Sequence, residues 1–309
     1  MSNTENTYGS DADFLFHTIK KTSFEEYKEM FKDWFILDRD EDGILTVQMC
    51  VNGGPALWCY GVHRGIGQLC KYIAQDLDNQ VVIVTGTGDQ WLGYPDWKYM
   101  GLLLKNADTD PLAYNKQTYN EWYKDGVAEL KNWLFELEVP TIAAINGPSP
   151  VGHTEFALAC DLTLITPDVK FFEKHYATAN LVPGDGQYIA LRHLLGDKKT
   201  NYLVYTGTEV DAQQALEWGL VNEIVPREQL LDRAKELAHQ ILKADYHVRR
   251  LTHRMLTEQW REDLEKSFDF QFALEGWAAT MTGPAKGTEA TAKEMDKFKE
   301  EKEKAQEEQ

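Results

Sequence analysis

The chain has few cysteines, no long hydrophobic run and no signal-peptide pattern. Its 309 residues include four cysteines, none in C-x-x-C spacing and all in apolar surroundings: Cys50, Cys59, Cys70 and Cys160. We expect them to be buried free thiols in a reducing compartment. No apolar run approaches the ~20 residues that span a bilayer, and Met1–Asp13 is polar and acidic. These absences predict a cytoplasmic protein that does not enter a membrane.

Basic residues are also scarce, since 32 Lys and Arg face 50 Asp and Glu and the formal net charge is −18. Such a charge repels phosphate backbones and anionic lipids, so we expect no nucleic-acid and no membrane partner. Aromatic residues, in contrast, are plentiful, with 9 Trp, 14 Tyr and 13 Phe. They supply a buried core and argue against disorder of the whole chain.

Changes in composition predict four segments. Residues 1–22 form a polar leader, 23–227 a core, 228–283 a helical C-terminal region and 284–309 a tail rich in Lys and Glu. In the core, near-continuous apolar runs that are typical of strands covered on both faces alternate with helical patterns. This alternation predicts an α/β layered fold. Two of these runs are Val81–Thr85 and Thr141–Ile145.

The segment Val139–Gly186 carries most of the chemical information. An apolar strand leads into a glycine-containing turn, after which we expect a helix to start near Gly152. Two histidines, His153 and His175, follow this turn. Asp185 then lies in a Val-Pro-Gly-Asp-Gly sequence with good turn chemistry.

The order and spacing of several short motifs resemble the crotonase (enoyl-CoA hydratase/isomerase) superfamily. The resemblance covers roughly Trp34 to Gly283 and implies an α/β crotonase (ClpP-like) spiral of ββα units with a helical C-terminal trimerisation region. It also implies a homo-oligomer, either a trimer or a hexamer. The motifs are Val-Val-Ile-Val-Thr-Gly-Thr-Gly-Asp (81–89), Ile-Ala-Ala-Ile-Asn-Gly-Pro (142–148), Ala-Cys-Asp-Leu (159–162), Val-Pro-Gly-Asp-Gly (182–186), Tyr-Thr-Gly-Thr-Glu-Val-Asp-Ala (205–212) and Ala-Leu-Glu-Trp-Gly-Leu-Val-Asn-Glu-Ile-Val (215–225).

The residues inside these motifs differ from those of a hydratase. Members of the superfamily stabilise a thioester enolate with two backbone N–H groups. Gly152 matches the second donor, whereas Pro95 matches the first and has no N–H to donate. Glu155 matches the first of two catalytic glutamates, and His175 stands within one residue of the second.

This exchange is similar to the β-diketone (6-oxocamphor) hydrolase branch, whose members cleave a carbon–carbon bond between two ketones without CoA. The resemblance implies that His175 and Asp185 form a dyad that activates water, and that His153 stabilises the developing enolate. Trp58 matches a tryptophan near the substrate carbonyl, and Glu275 matches a glutamate from the C-terminal helices. The substrate is then a small diketone, and neither a cofactor nor a metal is expected.

The side chains themselves suit such a retro-Claisen hydrolysis. Histidine is neutral near pH 7 without a large change in pKa and can take a proton from water. A carboxylate on its other nitrogen fixes the tautomer and stabilises the imidazolium. A neutral His153, together with the N–H of Gly152 at a helix start, would donate to the enolate. We assign to catalysis His175, Asp185, His153 and Glu275, and to substrate binding Trp58, Gly152 and Glu155.

Two alternatives stay open. An acyl-CoA hydratase or isomerase that uses Glu155 predicts saturable affinity for CoA esters. A non-enzymatic crotonase-like scaffold would instead bind partners through the tail 284–309. Purely structural roles are also open for single residues, such as a turn position for Asp185, core packing for Trp58 and a salt bridge for Glu275.

Overall fold

The protein is represented by a computed structural model, which describes residues 22–95, 118–150 and 152–282. Nearly all of the predicted leader, 1–22, and the whole of the predicted tail, 284–309, lie outside the described residues. The four segment boundaries therefore stay a prediction.

The described residues form eleven strands. They are β1 (Phe35–Arg39), β2 (Ile44–Val51), β3 (Gly54–Pro55), β4 (Leu57–Trp58), β5 (Val81–Thr85), β6 (Gly93–Pro95), β7 (Thr141–Ile145), β8 (Leu162–Ile165), β9 (Lys170–Phe171), β10 (Val210–Asp211) and β11 (Glu223–Ile224). The predicted buried strands β5 and β7 have the bounds that the sequence indicated.

Nine α-helices and two π-helical stretches occupy most of the remaining described chain. The helices are α1 (Phe24–Phe31), α2 (Tyr60–Gln75), α3 (Asp125–Glu136), α4 (Glu155–Leu158), α5 (Gln187–Thr206), α6 (Ala212–Trp218), α7 (Arg227–Ile241), α8 (Tyr246–Leu256) and α9 (Glu258–Thr282). The π-helical stretches are Thr118–Lys124 and His175–Ala179. None of the described helices is both long and apolar enough to cross a membrane.

A mostly parallel sheet forms the centre of the fold, in the strand order β1-β2-β5-β7-β8-β11. Strand β1 is antiparallel to β2, and the pairs from β2 to β11 are all parallel. Strand β3 adds to the edge of β2. Two small ladders lie outside this order, one of β9 with β10 and one of β4 with β6. Helices on both sides of a parallel sheet confirm the predicted α/β class.

Each face of the sheet has its own apolar core. On β5, Val82 and Val84 point into the larger core with helices α2 and α3, while Val81 and Ile83 point into a smaller core beneath α7. The alternation follows from the two-residue period of a strand. The same β5 run is buried throughout because both faces are covered. The C-terminal helix α9 adds Phe268 to the larger core.

We predict that Ile83→Ala lowers the free energy of unfolding by about 2–5 kcal/mol, because it leaves a cavity in a fully buried central strand. Ile36→Ala is the matched control, since Ile36 lies on β1 at the sheet edge and is 40% exposed. Its expected cost is within about 0.5 kcal/mol. Urea unfolding followed by circular dichroism measures both, and equal losses would contradict this assignment of the core.

Candidate active site

His175 lies between two carboxylates. Its Nδ1 is 2.8 Å from Oε1 of Glu173, and its backbone N–H donates to the same oxygen over 2.7 Å. Its Nε2 is 3.5 Å from Oδ2 of Asp185. Burial alone would lower the pKa of His175, but Asp185 and Glu173 outweigh burial and hold this pKa well above its ordinary value. The structure thus adds Glu173 to the predicted pair, and Glu173 is the residue that orients the ring.

The backbone around His175 forms one π-helical stretch, a conformation that is often found at functional sites. The N–H of Leu181 donates to the carbonyl of His175 over 2.9 Å. Asn180 closes the stretch with a left-handed φ of 53°. This conformation suits asparagine better than most residues.

Asp185 is held on a tight turn between two glycines. A Cβ at Gly184 would lie 2.3 Å from the carbonyl oxygen of Gln271, so the turn packs directly on α9. Gly186 has a φ of +110° and starts α5. Oδ1 of Asp185 accepts from the N–H of Gln187 at 3.3 Å. Burial alone would raise the pKa of Asp185, but the neighbouring histidines outweigh burial and lower it.

Glu275 reaches the same turn from α9. Its Oε2 accepts a hydrogen bond from the N–H of Gly184 at 3.2 Å, and the residue is 2% exposed. Burial and then the charge of Asp185 raise the pKa of Glu275 to about 8. Glu275 therefore holds a proton at neutral pH.

His153 has a strained backbone and a stacked ring. Its φ of 50° is left-handed, which costs a non-glycine residue roughly 1–2 kcal/mol. The indole of Trp91 donates to its carbonyl over 3.0 Å, and its Nδ1 lies 3.2 Å from Oε1 of Glu155. The ring stacks on Trp58 at 5.3 Å. Burial alone would lower the pKa of His153, but Glu155 and Asp185 outweigh burial and raise it.

The helix expected to start near Gly152 begins at Glu155, with Thr154 as its N-cap, and it is four residues long. Gly152 has a φ of +81°, and in this structure its N–H donates to the carbonyl of Ser149 at 3.2 Å. The role of Gly152 as an enolate donor stays a prediction. Pro95, which was expected to delete the other amide, lies in β6 opposite Trp58.

Three buried polar atoms near these histidines have no hydrogen-bond partner within the described ranges. They are Nε1 of Trp58, Oε2 of Glu155 and Oε2 of Glu173. Buried polar groups are nearly always paired in folded proteins.

The sequence did not indicate His63 and Glu129, which belong to the same cleft. Nε2 of His63 lies 3.0 Å from Oε2 of Glu129. The His63 ring lies 6.1 Å from that of His153 and 6.2 Å from that of Trp58. One available signal was the position of Glu129, which lies three residues after Gly126 and four before Trp133 on the buried face of α3.

One group of described residues has the spacing of a metal site. Single ligand atoms of Glu173, His175 and Asp185 lie within 4.8 Å of one another. His175, however, presents a different ring nitrogen to each carboxylate. A single ion could use only one of these nitrogens, so the arrangement fits a base between two acids better than a metal centre.

The parallel sheet, the C-terminal helices and a buried cleft of histidines and carboxylates define an enzyme of the crotonase superfamily. The model of the enoyl-CoA hydratase/isomerase family matches residues 65–308. The chain belongs to this family.

The comparisons give relatives with different activities. A β-diketone hydrolase of the cyanobacterium Anabaena sp. PCC 7120, solved with (S)-3-oxocyclohexyl acetic acid, is 32% identical and aligns over 83% of this chain and 98% of its own, with a TM-score of 0.73. An enoyl-CoA hydratase/isomerase of Mycobacterium paratuberculosis shares the fold at 20% identity, over 80% of this chain and 93% of its own, with a TM-score of 0.68.

Curated relatives carry the name carnitinyl-CoA dehydratase. The protein of Citrobacter koseri is 32% identical over 179 residues, which are 58% of this chain and 64% of the relative. The protein of Escherichia coli K12 is 31% identical over the same shares. The match thus spans less than two thirds of the length of these relatives.

We predict that Glu275→Gln gains stability relative to the wild type as the pH rises from about 5 to 8. The folded state keeps a proton on Glu275 up to a pKa of about 8, whereas the unfolded state releases it near pH 4.5. The wild type therefore loses stability across this window, and a glutamine has no proton to lose. Unfolding curves at pH 5 and 8 measure the difference in the free energy of unfolding between Glu275→Gln and the wild type. A difference that is the same at both pH values would contradict the raised pKa of Glu275.

Proposed function

We propose that the protein hydrolyses a carbon–carbon bond of a β-diketone by a retro-Claisen reaction. The observation that carries this proposal is His175, held between Glu173 and Asp185 in one cleft with His153 and Trp58. The likeness to the Anabaena β-diketone hydrolase, which extends over nearly its whole length, supports the same class of substrate.

His175 is the base for water in this proposal. Glu173 accepts from Nδ1–H of His175, so the neutral ring that forms above the raised pKa of His175 carries its lone pair on Nε2. A water that binds Nε2 passes a proton to it while its oxygen attacks one ketone carbon. Asp185, 3.5 Å from Nε2, stabilises the imidazolium that forms.

The tetrahedral adduct then breaks its carbon–carbon bond. The former carbonyl carbon becomes a carboxylic acid, and the bonding electron pair moves into the second carbonyl as an enolate. His153 and the unpartnered indole N–H of Trp58 donate to the enolate oxygen. A protonated Glu275 beside the turn can return a proton to the enolate carbon, which gives a ketone.

The bound product-type ligand of the Anabaena enzyme indicates a probe. Joining the acid carbon of (S)-3-oxocyclohexyl acetic acid to the ring carbon next to its ketone on the side away from the substituent, with loss of water, gives bicyclo[2.2.2]octane-2,6-dione. Hydrolysis of this symmetric diketone creates a stereocentre. Chiral chromatography of the acid therefore reports both rate and selectivity.

We predict that the wild type converts this diketone to the keto acid, and that His175→Asn and Asp185→Asn lower kcat by about 10²–10⁴-fold. The matched control is His239→Asn, because His239 is an exposed histidine on α7. Circular dichroism checks that the fold is retained. Wild-type levels of turnover in His175→Asn and Asp185→Asn would reject the assigned base.

We also predict that Glu173→Gln moves the acidic limb of the pH profile of kcat/KM to lower pH. Glu173 raises the pKa of His175, so replacing its charge by a neutral amide lowers that pKa and frees the base at lower pH. Glu228→Gln, on the exposed start of α7, should leave the profile unchanged. A limb that stays in place or moves to higher pH would contradict this role of Glu173.

A second candidate function is hydration or dehydration of an acyl-CoA ester. The observations that favour it are the unpartnered carboxylate oxygen of Glu155 and the carnitinyl-CoA dehydratases among the relatives. Titration calorimetry with crotonyl-CoA separates the two functions. Saturable binding together with no turnover of diketones would favour the CoA ester.

The protein is further proposed to form a homo-oligomer, a trimer or a hexamer, through its C-terminal helices. Apolar side chains on α8 and α9 are more than 60% exposed in the single chain, among them Leu251, Met255, Phe270 and Met281. Oligomers are typical of this superfamily. Light scattering of the full chain measures the state, and a monomer would contradict it.

A further inference from the structure

Helices α2 and α3 cross with their backbones unusually close, and two glycines permit this approach. A Cβ at Gly67 would lie 3.2 Å from the backbone nitrogen of Glu129. A Cβ at Gly126 would lie 3.2 Å from Cε1 of His63. A larger residue at either position would make a tight contact, and the crossing brings His63 beside Glu129.

The contact between His63 and Glu129 is buried and polar. Nε2 of the ring lies 3.0 Å from Oε2 of the carboxyl, and Glu129 is 6% exposed. Burial and the charges of Glu155 and Asp185 raise the pKa of Glu129 well above its ordinary value. Burial and then the charge of His153 lower the pKa of His63 to about 3. Both shifts favour a neutral acid beside a neutral imidazole.

A neutral imidazole carries one N–H, and its other nitrogen accepts. If the carboxyl donates its O–H to Nε2, the ring N–H lies on Nδ1. Nδ1 has no hydrogen-bond partner in the part of the chain that the structure describes. The ring that carries it is 6.1 Å from that of His153, at 87°.

We propose that Glu129 is a positioning residue of the active site, which keeps its proton and donates it to Nε2 of His63, so that His63 presents Nδ1–H beside His153. A second neutral donor then lies on the ring next to His153 and adds no positive charge there. The effect of Glu129 on catalysis rests on the proposed diketone hydrolysis. The tautomer of His63 can be tested without that function.

The tautomer is tested by ¹⁵N NMR of the full chain labelled at histidine, near pH 7, with His63→Asn to assign the signals. Glu129→Gln keeps a donor to Nε2 in its amide, so His63 is expected to stay neutral with its proton on Nδ1, as in the wild type. Glu129→Ala removes the donor, so the Nδ1–H preference should be lost. Glu136→Gln, on the exposed side of α3, is the control.

The kinetic test of the proposal uses bicyclo[2.2.2]octane-2,6-dione as the substrate. Glu129→Gln should keep kcat within about threefold, whereas Glu129→Ala should lower it by about tenfold or more, the effect of one lost hydrogen bond. The position of the proton on the His63 ring is the readout that a purely structural role of Glu129 would not change.

The proposal is overturned if His63 of the wild type is an imidazolium or carries its proton on Nε2. It is also overturned if Glu129→Gln loses the tautomer as Glu129→Ala does. A wild type without diketone turnover would reject the proposed function, while the spectra would still decide the state of Glu129. If Glu129→Ala fails to fold, the wild-type and Glu129→Gln spectra decide alone.

Discussion

The site depends on histidines and carboxylates that share protons where little water reaches them. His175 is held by Glu173 and Asp185, and His153 is held by Glu155. In a medium of low dielectric constant each unpaired charge is costly, so every charged ring requires an acid at close range. The positions of these acids set which histidine carries a proton.

The scaffold supplies these acids from distant parts of the chain. A turn after the π-helical stretch supplies Asp185, and α9 supplies Glu275, which binds the same turn through Gly184. Gly184 has no side chain, and this permits the close approach of α9. The C-terminal helix thus packs on the turn that holds Asp185 in addition to covering the core.

The fold was largely predictable because apolar runs and caps are local signals. Strands Val81–Thr85 and Thr141–Ile145 followed from buried apolar runs. The helix expected to start near Gly152 begins three residues later, at Glu155, because Gly152 and His153 adopt left-handed φ values. The sequence did not indicate His63 and Glu129, because the contact between them depends on how α2 and α3 cross. A pattern along one helix does not reveal the neighbour across it.

The hydrogen bond between Glu275 and Gly184 joins residues 91 positions apart in the sequence. During synthesis the sheet, the two histidines and the aspartate emerge from the ribosome well before α9 does. A nascent chain can therefore form the strand pairs of its sheet before α9 supplies Phe268 to the larger core and Glu275 to the turn. A protease that cut within α9 would remove part of this core together with the carboxyl group that binds Gly184.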